Sequence, residues 1–205
     1  MKTSSNPYKP KHNSNLAGKI LIRESVISEL GLPLRVLETH SGPGAMRRAC
    51  YQDAVEWLGC DADPKSPDAI HCDSRLLLRA INLDRFTLFD IDPFGGPFEH
   101  LWIVSQRWKG ERLGLALTCG QFAGTHRMHS TFRHAGWSRQ MCEAALVHPD
   151  TPFREVFEAE TVVSFLKVFL DSWFKMKIEK LWSAISKADH SGGITAWYFG
   201  VILQR

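Results

Sequence analysis

Four groups of residues in this 205-residue chain have side chains suited to chemistry: Glu38-Thr39-His40-Ser41-Gly42-Pro43-Gly44, Asp61, Asp73-Ser74 and Asp92-Pro93-Phe94-Gly95. The first follows a short apolar run, Leu34, Val36 and Leu37, that reads as a buried strand. Gly42 and Gly44 leave room where a Cβ would collide with a bound group, and Pro43 stiffens the turn between them. Helical spacing follows over Ala45–Trp57. Strand, glycine turn and helix together bring backbone against a nucleotide-like ligand, although a plain strand-to-helix turn has the same outline. Asp61 stands 17 residues beyond Gly44, close to the ~20-residue offset at which a carboxylate accepts ribose hydroxyls. The alternative is that Asp61 or Asp63 caps the next turn.

Two of these groups have counterparts in a known family. Glu38–Gly44 resembles motif I of the class I S-adenosylmethionine (SAM) dependent methyltransferases, an acid followed by alternating glycines. His40 stands where that pattern has its first glycine. Asp92-Pro93-Phe94-Gly95 resembles motif IV of the members that methylate exocyclic amines of bases. It is closer to the Asp-Pro-Phe/Tyr-Gly of the tRNA (guanine-N2) dimethyltransferases than to Asp/Asn-Pro-Pro-Tyr/Phe. The resemblance implies a Rossmann-like α/β fold, a seven-stranded mixed sheet closed by a C-terminal antiparallel hairpin, with helices on both faces. It implies SAM as cofactor, S-adenosylhomocysteine as product, and no metal. Glu38, Thr39, His40, Ser41, Gly42, Gly44, Asp61, Ala62, Asp73, Ser74 and Asp90 would surround the cofactor. Asp73 matches the acid that holds the adenine amino group in that family, while Asp-Ser is equally a good N-cap for a helix over Arg75–Ile81. Asp92, Pro93 and Phe94 would be catalytic, with Gly95 toward the substrate.

The chemistry of an amine acceptor accounts for these residue types. An amine conjugated to a ring has a delocalised lone pair and is a poor nucleophile. A carboxylate at Asp92 that accepts its N–H bonds draws the nitrogen toward sp³ character. Pro93 fixes the neighbouring carbonyl as a second acceptor. Phe94 offers a face for a flipped base and a π cloud suited to sulfonium charge. The remaining rate comes from aligning nitrogen, methyl carbon and sulfur.

The elements that must position these groups follow from periodicity. Helices are predicted over Leu16–Leu30, Phe98–Trp108, Phe132–Val147 and Phe153–Phe174. Strands are predicted to span Leu58–Pro64, Ala69–Cys72, Phe86–Ile91 and Leu113–Thr118. A closing pair, Lys175–Ser186 and Gly193–Leu203, flanks a hairpin turn. The stretch Cys119–Trp137 holds His126, Arg127, His129, Arg133 and His134 and leaves the sheet at its carboxyl edge. We read His126, Arg127 and His129 as substrate-facing with phosphate-binding capacity, the alternative being a solvated surface loop. No Cys or acid there completes a metal set.

Composition bounds the rest. The length suits one domain over residues 16–205, preceded by a polar, mildly basic tail at 1–15. No apolar run approaches the ~20 residues of a membrane span, and the first residues lack an apolar signal core. Five cysteines without a C-x-x-C pair read as reduced thiols of a cytoplasmic protein. A net charge of +3 permits phosphate contact but falls short of a dedicated nucleic-acid binder. The expected activity is methyl transfer to an exocyclic amine of a nucleobase in RNA (tRNA-like) or DNA, with a nucleic-acid substrate as partner and a protein partner also compatible. A small-molecule methyltransferase and a non-catalytic SAM-binding subunit are the alternatives.

Overall fold

The computed structural model describes residues 16–31, 33–64, 66, 68–120, 131–133, 137–152, 162–187 and 194–205. In chain order the elements are α1 Leu16–Leu30, β1 Arg35–Glu38, α2 Ala45–Cys50, β2 Glu56–Asp61, β3 Ala69–His71, α3 Ser74–Ala80 and β4 Leu88–Ile91. Then come α4 Phe98–Arg107, β5 Arg112–Cys119, α5 Arg139–Ala144, α6 Val162–Phe174, β6 Lys177–Lys187 and β7 Ile194–Gln204. The tail at 1–15 lies outside the described residues, as do His126, Arg127 and His129.

The seven strands form one sheet in the order β3-β2-β1-β4-β5-β7-β6. β1 pairs in parallel with β2 and β4, β2 with β3, and β4 with β5. Only β7 runs antiparallel to its neighbours β5 and β6, closing the sheet with the expected hairpin. Alternation along the strands divides the core. Leu37, Phe89 and Ile91 face α3, α4 and α6, packing with Leu78, Leu101, Phe169 and Trp173. Val36 and Leu88 face the other way, toward Val26, Met46 and Tyr51.

Close approach sets where α1 lies. A Cβ at Gly114 would stand 2.4 Å from Leu30 Cδ1, and one at Gly200 2.7 Å from Val26 Cγ2. These glycines on β5 and β7 let the helix settle directly on the sheet, which brings its first turns over the carboxyl end of β4.

Several boundaries differ from expectation. The helix predicted over Ala45–Trp57 ends at Cys50, because Tyr51 turns inward, fully buried, and sends its hydroxyl to Asp90. Val55 N–H already bonds to Leu34 O at 3.0 Å, so β2 begins at Glu56 and ends at Asp61 rather than spanning Leu58–Pro64. β4 begins at Leu88 because Phe86 N–H closes a turn on Leu83 O. In place of a helix over Phe132–Val147, Phe132 N–H bonds to Thr151 O, and α5 starts only where Ser138 Oγ accepts from Met141 N–H.

The β2–β3 connection is short for a parallel pair. Such crossovers usually need a dozen or more residues. Here β3 is three residues long and pairs only with Gly59–Asp61, so the chain returns a short way along β2. The outer side of Glu56–Leu58 has no strand partner among the described residues.

Candidate active site at the carboxyl edge of the sheet

β1 and β4 are neighbours in register, Glu38 opposite Asp90, so the loops that leave them emerge side by side at one edge. The loop after β1 is tied down on both flanks. Thr39 N–H bonds to Asp90 O at 2.9 Å, and Ser41 N–H to Cys60 O at 3.0 Å. Gly42 N–H donates to Asp61 Oδ2 at 2.7 Å, and Asp63 N–H to Asp61 Oδ1 at 2.8 Å. Gly42 has φ 49° and Gly44 φ 76°, the left-handed region that favours glycine. Nothing lies within 4 Å of where a Cβ at Gly42 would stand, so the turn opens onto free space.

Beneath this loop lie two buried acids. Asp90 accepts from Arg23 Nε at 2.7 Å, Arg23 Nη2 at 2.6 Å and the Tyr51 hydroxyl at 2.6 Å. Both partners of this ion pair have 0 % side-chain exposure. Burial, and then the neighbouring Asp90 carboxylate, push the Glu38 carboxyl up to about 8, while the hydrogen bond from Trp57 Nε1 (3.0 Å) acts in the opposite sense. Both carboxyl groups are thus buried beside the loop, and Asp90 also receives Thr39 N–H through its main-chain oxygen.

His40 sits among the acids of the site. Burial dominates and lowers its pKa below the ordinary histidine value, against the opposing pull of Asp92, Asp61, Asp90 and Asp73. A chain of polar groups runs through it: Thr39 Oγ1 is 2.8 Å from His40 Nδ1, Ser74 Oγ 3.4 Å from His40 Nε2, and His100 Nε2 2.8 Å from Ser74 Oγ. Thr39 Oγ1 also donates to Asp90 O. One ordering satisfies every link: His100 Nε2–H donates to Ser74, Ser74 to His40 Nε2, and His40 Nδ1–H to Thr39. It leaves His100 Nδ1 buried without a partner among the described residues, and burial first, then the neighbouring His40 ring and the Arg75 guanidinium, pushes His100 down to about 3.

On the α3 side, Asp73 caps the helix, accepting from Arg75 N–H at 2.9 Å, and also grips the Arg75 guanidinium. Those Arg75 bonds hold its carboxyl at about 2. Arg75 reaches Glu99 as well. Ala62 is exposed, and Ser74 is buried.

Asp92, Pro93 and Phe94 leave β4 next to the glycine loop. Asp92 Oδ2 accepts from Lys19 Nζ, with side-chain exposures of 7 % for Lys19 and 21 % for Asp92. Among the described residues Asp92 Oδ1 carries no hydrogen bond. Pro93 is half-buried, and Phe94 is 95 % exposed. Gly95 (φ 104°) accepts from Gly120 N–H at 2.6 Å, which ties this turn to the end of β5.

Lys19, Arg23, Tyr51, Trp57 and His100 were not singled out by sequence reasoning. Lys19 and Arg23 did leave a signal, since they interrupt the buried stripe of α1 beside Ile22 and Val26. Charges four apart on a helix share a face, and Lys19 and Arg23 meet Asp92 and Asp90, which lie two apart at the end of β4. Among the described residues no group of three His, Cys, Asp or Glu side chains could hold a metal ion, and no helix is long and apolar enough to cross a membrane. A cavity of about 460 Å³ beside α2, lined by Arg47, Arg48, Trp57 and Asp68 among others, lies on the flank of β2.

No protein-family model matches the chain, and no curated protein matches it. Solved structures do share its architecture. TYW2 of M. jannaschii in complex with AdoMet aligns with a TM-score of 0.51 at 11% identity, over 92% of this chain and 76% of that one. A SAM-dependent methyltransferase from Mesorhizobium loti gives 0.52 at 15%, over 93% and 99%. The N-methyltransferase NodS of Bradyrhizobium japonicum WM9, in complex with S-adenosylhomocysteine, gives 0.54 at 7%, over 98% and 93%. The seven-stranded mixed sheet with its antiparallel C-terminal hairpin is thus the fold of class I SAM-dependent methyltransferases.

Proposed function

We propose that this chain is a SAM-dependent N-methyltransferase whose acceptor is an exocyclic amine of a nucleobase in RNA or DNA. The observation that carries the reading is the turn Asp92-Pro93-Phe94, which leaves β4 beside the glycine loop with the Phe94 ring open to solvent. An aromatic that contributes nothing to the core, next to a carboxylate whose Oδ1 carries no hydrogen bond among the described residues, suits a flat ring carrying an amine.

The residues present fit the cofactor. Gly42 opens the loop, Gly44 supplies its second left-handed turn, and Asp61 retains lone pairs beyond those given to Gly42 and Asp63. When bound, SAM supplies an electrophilic methyl group and leaves as S-adenosylhomocysteine. The chain's own contribution is placement. Asp61 would hold the ribose side of the cofactor, and Ser74 with the Asp73 turn would border its adenine. Asp92 Oδ1 would accept a hydrogen bond from the amine and then the proton that the methylated nitrogen sheds, while Phe94 would stack on the ring and turn the nitrogen lone pair toward the methyl group. Holding the reacting atoms in line supplies much of the rate.

The modest net charge of +3 favours a second reading, a small-molecule amine as acceptor. Incubation with methyl-labelled SAM and separate tRNA, DNA and metabolite pools, followed by mass analysis of digested nucleosides, decides between them. Label in a base amine supports the proposal; label confined to the metabolite pool refutes it. Asp92→Ala is expected to retain SAM binding and lose turnover.

A further inference from the structure

The amine-binding carboxylate is not alone. Lys19 Nζ donates to Asp92 Oδ2, and Lys19 comes from α1, outside both motifs that define the site. Its ammonium lies 5.7 Å from the centre of the Tyr198 ring, which favours a cation there. Arg23, one turn further along, fixes the same helix to Asp90 through two short bonds and also donates to Lys19 O at 3.1 Å. The helix end that holds Lys19 is therefore anchored to the strand that holds Asp92.

This arrangement sets an acceptor and a donor side by side. With Lys19 on Oδ2, Asp92 Oδ1 is the carboxylate oxygen that carries no hydrogen bond among the described residues, beside the ammonium held on its partner oxygen. Lysine has three donors, and two remain after the bond to Oδ2. The pair thus offers an acceptor, Asp92 Oδ1, next to an ammonium that still has donors to give. The chemical group complementary to that pair is an amidine edge: an amine N–H beside a ring nitrogen that accepts.

We propose that Lys19 is a specificity-determining residue, which donates to the ring nitrogen adjacent to the amine while Asp92 Oδ1 accepts from the amine itself. The inference rests on the proposed nucleobase N-methylation and adds the edge of the base that is read. A ring that offers the amine together with a second N–H on the same edge would place that hydrogen against the Lys19 ammonium.

The test replaces the acceptor nitrogen by C–H without touching the amine. RNA stem-loops of one sequence carry adenine or 1-deazaadenine, cytosine or 3-deazacytosine, and guanine or 3-deazaguanine at the methylated position. Wild-type protein should methylate the parent base with a kcat/KM about 10- to 100-fold above its deaza analogue, as expected for a hydrogen bond to a charged donor. Lys19→Met should lose a similar factor on the parent and show no preference between parent and analogue. Lys19→Arg should recover part of the preference, and SAM affinity should be unchanged in both variants, which shows that the fold survives. Equal rates of wild type on parent and analogue overturn the assignment, as does a preference that persists in Lys19→Met. Absence of methyl on every base in all stem-loops overturns the nucleobase reading itself, and this proposal with it.

Discussion

Glu38→Gln isolates a proton that the fold keeps on a buried acid. The Glu38 carboxyl is raised from an ordinary value of 4.5 to about 8, first by burial and then by the Asp90 carboxylate. Between those two pH values the native chain holds a proton that the unfolded chain has released, so unfolding is favoured as pH rises. Stability contributed by the neutral carboxyl is intact below about pH 4.5, declines through the interval and levels off above about pH 8. At ~1.4 kcal/mol per pH unit, the interval sets an upper bound of about 5 kcal/mol. Glutamine retains an oxygen for Trp57 Nε1 and removes the titration. Urea unfolding followed by tryptophan fluorescence at constant ionic strength, on wild type and variant from about pH 5 to pH 8, reads the difference directly. The variant should gain on wild type by at least about 2 kcal/mol across that range, all other groups being common to both. Parallel stability curves would refute the assignment of the proton to Glu38.

Arg23→Met leaves Asp90 buried without its cation and should cost about 3–5 kcal/mol in urea unfolding, of which Asp90→Leu in the same chain restores a part. Gly42→Ala places a Cβ in open space at φ 49°, so stability should fall by only about 1–2 kcal/mol, while calorimetry should show at least a ~10-fold loss in SAM affinity. Phe94→Ala removes an exposed ring and should leave stability within about 0.5 kcal/mol. Its effect should appear in the acceptor KM, by the ~5- to 150-fold that a stacked base is worth.

The parts of the site that follow one another along the chain were legible before the fold. The acid, the glycine turn and the Asp-Pro-Phe turn each sit at the end of an apolar run, and strand ends in a parallel sheet gather at one edge. Asp73 as a helix cap was legible for the same local reason. What could not be read is what only packing decides. Tyr51 looked like one more residue of a helix until its hydroxyl found Asp90 across the core. His100 looked like a polar position of α4, and nothing in its neighbourhood announces Ser74, 26 residues away in sequence. Lys19 and Arg23 belong to a helix whose burial depends on glycines nearly a hundred residues or more downstream, so their partners on β4 could not be inferred from periodicity alone.

The brevity of β3 has a consequence for how this molecule behaves in company. It leaves part of the rim of β2 as backbone that another chain could extend, the usual seed of edge-to-edge aggregation. Charge guards that stretch: Glu56 is held by Arg35 and Arg85, and the Arg47 guanidinium lies over the Trp57 ring at 4.3 Å. The opposite rim, β6, carries Lys177, Lys180 and Lys187. Solubility of this sheet therefore depends on a few arginines and lysines at its two borders, and neutralising Arg35, Arg47 and Arg85 together should raise self-association in light scattering before it changes the melting temperature.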